Sequence, residues 1–152
     1  MSRIQDLGKS FANLPQIIAD YEQAFANITQ DLAVKGKMLE VALREQASNS
    51  YYYESRKAEL KVLLKYMDSQ VAKVRGTLIR RYKENYSRDL GERQLNNYVD
   101  AETDYLTVYE LYLECEELYE KYSAACDAFT KRGFALRDIT NARCDSVHDS
   151  EL

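Results

Sequence analysis

The sequence predicts an all-α fold: long amphipathic helices in an antiparallel bundle or coiled-coil-like arrangement, assembling into a homo-oligomer. Apolar residues recur in alternating steps of three and four along most of the chain. Sheet proteins need turn residues at short intervals, and 152 residues here contain only five Gly and one Pro. A hydrophobic content of 45% beside 30% charged residues places the chain in the globular class. Its length fits one helical domain, residues 1–152, with a single core.

A first helix is expected at roughly 15–47. Asn13-Leu14-Pro15 is a suitable start, because proline is tolerated in the first turn. Ile18, Tyr21, Phe25, Ile28, Leu32, Leu39 and Ala42 then form one apolar stripe, with Lys35 filling its single gap. The polar run Ser48-Asn49-Ser50 reads as the break before a second helix at roughly 50–86. That helix carries Leu60, Leu64, Met67, Val71, Val74 and Leu78 on one face. A third, at roughly 93–131, has the longest stripe: Tyr98, Ala101, Tyr105, Val108, Tyr112, Cys115, Tyr119, Tyr122, Cys126 and Phe129. Seams this regular suit helix-on-helix packing with a left-handed supercoil. Gly133 after Lys131-Arg132 reads as a helix C-terminus. A short fourth helix at roughly 134–146, with Phe134, Leu136 and Ile139, then leads to a frayed tail at 147–152. Helices of such length bury only part of their apolar face within one chain, which points to contact between copies.

The net charge of −4 conceals an asymmetry. Residues 56–88 hold ten Lys/Arg against three Asp/Glu, a net of +7, while residues 89–121 hold two against ten, a net of −8. Such a split implies an acidic or phosphate-bearing partner for the first segment, or self-pairing between the two. No apolar run is long enough to span a bilayer, and the N-terminus has no signal-peptide h-region. Cys115, Cys126 and Cys144 form no CxxC pair and leave an odd count, which suits a reducing compartment.

Enzyme templates fail in turn, so no catalytic residue and no cofactor is expected. The chain has no GxxxxGK or other phosphate-cradling loop. Its one histidine, His148, has no nucleophile beside it, and the cysteines lack zinc-site spacing, so no metal is expected. Glu114, Glu116, Glu117 and Glu120 read as a solvated helix face.

One stretch has the composition of a binding site. Lys73, Arg75, Arg80, Arg81, Lys83 and Arg88 are interleaved with Tyr82 and Tyr86. Single-stranded nucleic acid takes that mixture, with cations for its phosphates and aromatic faces for unstacked bases. The competing reading places both tyrosines in the core and neutralises the cations with the acids of 89–121. Residue content alone leaves the two open.

The C-terminal third carries a resemblance. Lys131-Arg132-Gly133-Phe134-Ala135-Leu136-Arg137-Asp138-Ile139, followed by Arg143, resembles the Arg-Gly-Phe-Ala-Ile-Lys signature that ends the UvsY family, the recombination mediators of large tailed bacteriophages. Val99 to Val108 is similar to the family's Ser-Ala-Asp-Lys-Asp-Val-Leu-Lys-Val segment at the same distance from the signature. Ser123-Ala-Ala-Cys-Asp127-Ala128 is similar to its Ser-Gly-Ala-Leu-Asp-Ala run. Arg80 to Arg88 is similar to the family's basic DNA-binding stretch ending in Tyr-Tyr-Ser-Gly-Arg, with Asn85 in place of the first tyrosine and no glycine before Arg88. The matched span, about 99–143, is under a third of the chain.

The resemblance implies a ring-like homo-oligomer in the cytoplasm of an infected bacterial host. It would bind single-stranded DNA, remodel strands coated by single-strand-binding protein, and load the phage recombinase without doing chemistry. Phe134, Leu136 and Ile139 would then lie at the oligomer interface, or else pack on their own chain's third helix. The rivals are a helical oligomeric scaffold without nucleic-acid binding and a module lying on anionic membrane. The regular seam of Leu60, Leu64 and Met67 argues for protein packing over the latter.

Overall fold

The computed structural model describes residues 13–86 and 90–149, with side chains as far as residue 146. Five helices follow in order: α1 (Leu14–Phe25), α2 (Ile28–Leu32), α3 (Leu39–Asn85), α4 (Glu92–Asp100) and α5 (Thr103–Asp149). No strand occurs among the described residues. The all-α expectation holds, and α3 and α5 set its scale. Each has 47 residues, hence a length of about 70 Å.

These two helices run antiparallel along one seam. Gln46 meets Phe129, Tyr53 stacks on Phe129 with centroids 4.9 Å apart, and Tyr82 reaches Glu102. Leu60, Leu63 and Met67 of α3 face Cys115, Leu118, Tyr122, Cys126 and Phe129 of α5, all buried. α1 lies along this seam and adds Leu14, Ile18 and Tyr21, spaced by four and three residues. The core tyrosines bury their rings while their hydroxyls find partners, as amphipathic aromatics must. Tyr53 donates to Asp31 at 3.0 Å, Tyr122 to the carbonyl of Tyr21 at 2.9 Å, and Tyr21 to Glu59. Burial pushes the Tyr122 hydroxyl up to about 12. A second, smaller core at the far end of the hairpin joins Leu78 of α3 to Leu95 and Val99 of α4.

Beyond the short interruption at Ala26-Asn27 that parts α1 from α2 within the expected first helix, the helix boundaries differ from the sequence reading in three places. The break expected at Ser48-Asn49-Ser50 is absent, because α3 runs straight through it and the Ser48 hydroxyl bonds back to the Glu45 carbonyl at 3.1 Å. The break falls instead at residues 33–38, where Gly36 takes a φ of 82°, a conformation open to glycine at no steric cost. Lys35 therefore sits in a turn and fills no gap in a stripe. At the other end, the expected third helix is split: Ala101 and Glu102 separate α4 from α5, leaving Tyr98 and Ala101 exposed.

The third difference is Gly133, which caps nothing, since α5 continues to Asp149. Its role is steric. A Cβ at this position would lie 3.1 Å from Nε2 of Gln46, and Gln46 is not free to move. Its Nε2 donates to the Phe129 carbonyl at 2.7 Å, and its Oε1 accepts from Arg132. Arg132, only 5% exposed, also donates to the carbonyls of Leu32, Ala33 and Ala42. The guanidinium thus ties the end of α2 and the first turn of α3 to α5. Leu136, one turn further on, is fully buried within its own chain. Its burial is the own-chain packing given as the alternative to an oligomer interface, while Phe134 and Ile139 are exposed.

The two helical glycines should respond oppositely to alanine. Gly76→Ala, with nothing near its new methyl, should stabilise the chain by about 0.5–1 kcal/mol through helix propensity. Gly133→Ala gains the same propensity but should be destabilising overall, because Gln46 cannot yield. Arg132→Met should lose about 2–4 kcal/mol by stranding buried acceptors. Urea unfolding of the three variants, analysed with a common m-value, checks all of these.

Candidate nucleic-acid interface

The basic segment occupies the C-terminal half of α3 and its exit. The helix ends at Asn85, Tyr86 turns extended at φ −95° and ψ 127°, and α4 folds back against the underside. An unbroken helix advances about 100° per residue, which sorts the candidate residues by face. Leu78 and Tyr82 point inward. Arg75 and Tyr86 lie on the flank that α4 covers, and Thr77 and Arg81 lie on the opposite flank. Arg80 and Lys83 stand on the outward crest, with Lys73 at its edge.

The acids of α4 and its exit neutralise two of these cations, as the competing reading expected. Arg75 pairs with Asp100 at 3.1 Å, donates to Asn96 at 3.3 Å and lies over the Tyr105 ring. Arg81 pairs with Glu102 at 2.9 Å. Glu102 also accepts the Tyr82 hydroxyl. That hydrogen bond, joined by Arg81, holds the Glu102 carboxyl below its ordinary value, and it raises Tyr82 in turn. Tyr82 is accordingly half-buried against the second core.

The other cations are unpaired. Lys73, Arg80 and Lys83 are exposed and make no ion pair among the described residues. Tyr86 is 49% exposed, and its ring lies 6.3 Å from that of Tyr98, which is 45% exposed; Tyr98 stacks on Tyr82, while Tyr86 lies tilted against it. Arg88 lies outside the described residues. The structure therefore separates the expected set into a free group (Lys73, Arg80, Lys83 and Tyr86) and a structural group (Arg75, Arg81 and Tyr82).

Sequence reasoning missed three members of this surface. Tyr98 counted as an apolar-stripe residue, whereas the break after Asp100 turns it outward beside Tyr86. Lys61 and Lys65, exposed and without an ion pair among the described residues, extend the outward cation row over about 33 Å, from 61 to 83. At about 100° per residue, a helical wheel of α3 sets Lys65 in line with Lys83 and Lys61 close beside that line.

On the flank away from α4, α3 and α5 leave a groove of ≈ 480 Å³, lined by Gln70, Lys73, Val74, Thr77, Leu78 and Arg81 together with Asp104, Thr107 and Val108. No cluster of ligating side chains suited to a metal occurs among the described residues. Burial pushes the Cys115 thiol up to about 12 and that of Cys126 up to about 11, which suppresses their thiolates. No described helix is long and apolar enough to cross a membrane.

No family model matches the sequence, and no curated protein matches it. Among solved structures, the backbone is similar to the crystal structure of the bacteriophage T4 recombination mediator protein UvsY, with a TM-score of 0.72. The chain has the UvsY fold. The superposition covers 83% of this chain and 98% of UvsY at 17% sequence identity. The likeness read from residues 99–143 therefore extends, in backbone, over α-helical structure well upstream of the signature.

Because its folded-state pKa is depressed, Glu102 contributes stability above the ordinary carboxylate range and loses it as pH falls through the depressed value. Acid should therefore loosen α4 before the main seam. Amide exchange measured against pH should show early loss of protection at Leu95 to Val99, and Glu102→Gln should remove that acid dependence.

Proposed function

We propose that the protein is a single-stranded DNA-binding recombination mediator, acting in the cytoplasm of a phage-infected bacterium and performing no chemistry itself. The observation that carries this reading is the unpaired cation row on the outward face of α3, ending beside the exposed rings of Tyr86 and Tyr98. Phosphates would lie on Lys73, Arg80 and Lys83, with Lys61 and Lys65 extending the track. Bases near the helix end would meet the tyrosine faces, each stack contributing about 1–3 kcal/mol. Contacts of this kind read no base edges and so give little sequence preference.

The fold supports the same reading, because its relative is named a recombination mediator. Loading a recombinase onto strands coated by single-strand-binding protein would be the task, with those two proteins as partners. Several copies, meeting partly through the exposed Phe134 and Ile139, would strengthen individually weak sites by linkage. A helical scaffold without nucleic acid is the second reading, favoured by the Arg75–Asp100 and Arg81–Glu102 pairs.

Fluorescence anisotropy of a labelled single-stranded oligonucleotide across a salt series separates the two. Binding should weaken with salt at about −0.7 in log K per phosphate contact. Replacing Lys73, Arg80 and Lys83 together by alanine should flatten the slope by about 2, whereas Arg75→Ala should leave it nearly unchanged. Absence of binding at low salt would leave the scaffold reading in place.

A further inference from the structure

Of the free cations, Lys83 lies near the exposed tyrosines, whereas Lys73 and Arg80 occupy a different face of α3. A strand whose phosphates sit on Lys73 and Arg80 has Tyr86 and Tyr98 on the far side of the helix. What lies beside Lys73 is the α3–α5 groove. Its walls combine an apolar floor of Val74, Leu78 and Val108 with a cation at the rim and the Asp104 carboxylate. Its volume of ≈ 480 Å³ is in the range of sites that enclose one small ligand. Asp104 makes no ion pair among the described residues, so its carboxylate is an acceptor without a cationic partner.

That set of groups is complementary to one nucleotide. The floor suits a base face, Lys73 and the remaining donors of Arg81 suit its phosphate, and Asp104 suits an exocyclic amino group. We propose that the groove between α3 and α5 takes a single unstacked base of the bound strand and favours cytosine over thymine. The inference rests on the strand-binding reading and deepens it. Cytosine presents an N4 amino donor, where thymine presents a carbonyl and a methyl group. Thymine's one ring N–H is flanked by two carbonyl oxygens that a carboxylate repels. The strand would then cross the crest of α3 with bases entering the groove on one side and stacking on tyrosines at the helix end.

Anisotropy titrations of the full chain with labelled oligo-dC and oligo-dT, at mildly alkaline pH where cytosine stays unprotonated and oligo-dC does not self-pair, test this. Oligo-dC should bind several-fold more tightly. Asp104→Ala should abolish that preference, whereas a carboxylate acting only by repelling phosphates would, once removed, strengthen both oligonucleotides equally. Thr77→Met, which narrows the groove from an exposed position without adding an aromatic face, should weaken oligo-dC binding about tenfold and leave the salt slope unchanged. Circular dichroism of both variants should match the wild type, since each site is exposed. Equal binding of oligo-dC and oligo-dT by wild type and variants would overturn the groove assignment while leaving strand binding intact. Failure of the wild type to bind either oligonucleotide would overturn both.

Discussion

Much of the molecule's geometry follows from one buried guanidinium. Among the described residues Arg132 has no carboxylate partner; carbonyls of Leu32, Ala33 and Ala42 and the amide oxygen of Gln46 surround it instead. A buried cation is tolerated when hydrogen bonds replace its water, and the last carbonyls of α2 sit at the negative end of that helix. The arrangement demands that α2, α3 and α5 meet at one point, and Gly133 lets α3 approach closely enough for this. Fixing the helix pair there sets its register along the whole length. A shift of one turn, about 5.4 Å, would break the Arg75–Asp100 and Arg81–Glu102 pairs at the other end. The register at the buried end thus decides which cations the acids neutralise and which stay free.

The charge split along the sequence acquires a division of labour from that register. The acids nearest the chain reversal, Asp100 and Glu102, are used locally and fasten α4 and the start of α5 beneath the basic helix. These pairs are half-exposed, so each contributes modestly; their main effect is on orientation. By engaging Arg75, Arg81 and Tyr82, they leave Lys73, Arg80 and Lys83 as the cations of this stretch that face solvent without an acid beside them among the described residues. Solvated cations of this kind suit a polyanion better than a buried protein contact, because salt and phosphate exchange places on them with little reorganisation.

The sequence made the helical class and most of the core legible, because periodicity reports burial directly. Leu60, Met67, Cys115, Tyr122, Cys126 and Phe129 were all read as core and are buried. Helix ends were less legible. Ser48-Asn49-Ser50 has loop composition, yet it lies where α3 must continue to reach Arg132, and tertiary packing overrides propensity. Gly133 after two basic residues resembles a helix cap, while its function depends on Gln46, far away in sequence. Tyr53, fully buried, stands seven residues before Leu60 on the same stripe, but it lies beside the polar run read as the helix start and was not counted with the core. Lys61 and Lys65, which fall on the Lys83 side of the wheel, lay outside the run from Lys73 to Arg88 that the interleaved tyrosines singled out.

The residues that carry the likeness to recombination mediators divide in the same way. Arg132, Gly133 and Leu136 of the signature are structural here: the first two hold the helix register, and the third is fully buried. A motif of this kind can mark the fold without touching a ligand, which is why it coincides with the backbone similarity and leaves DNA binding to be argued elsewhere. That argument falls on α3, where the match in sequence is looser and chemistry matters more than identity. Any Lys or Arg on the outward crest meets a phosphate equally well, and an exposed ring near the helix end can stack whether it is Tyr86 or Tyr98. Phosphate tracks constrain charge and spacing, whereas a buried guanidinium with four acceptors constrains the residue itself. The fold's signature and the proposed strand-binding surface therefore sit at opposite ends of the same helix pair, joined by the register that Arg132 sets.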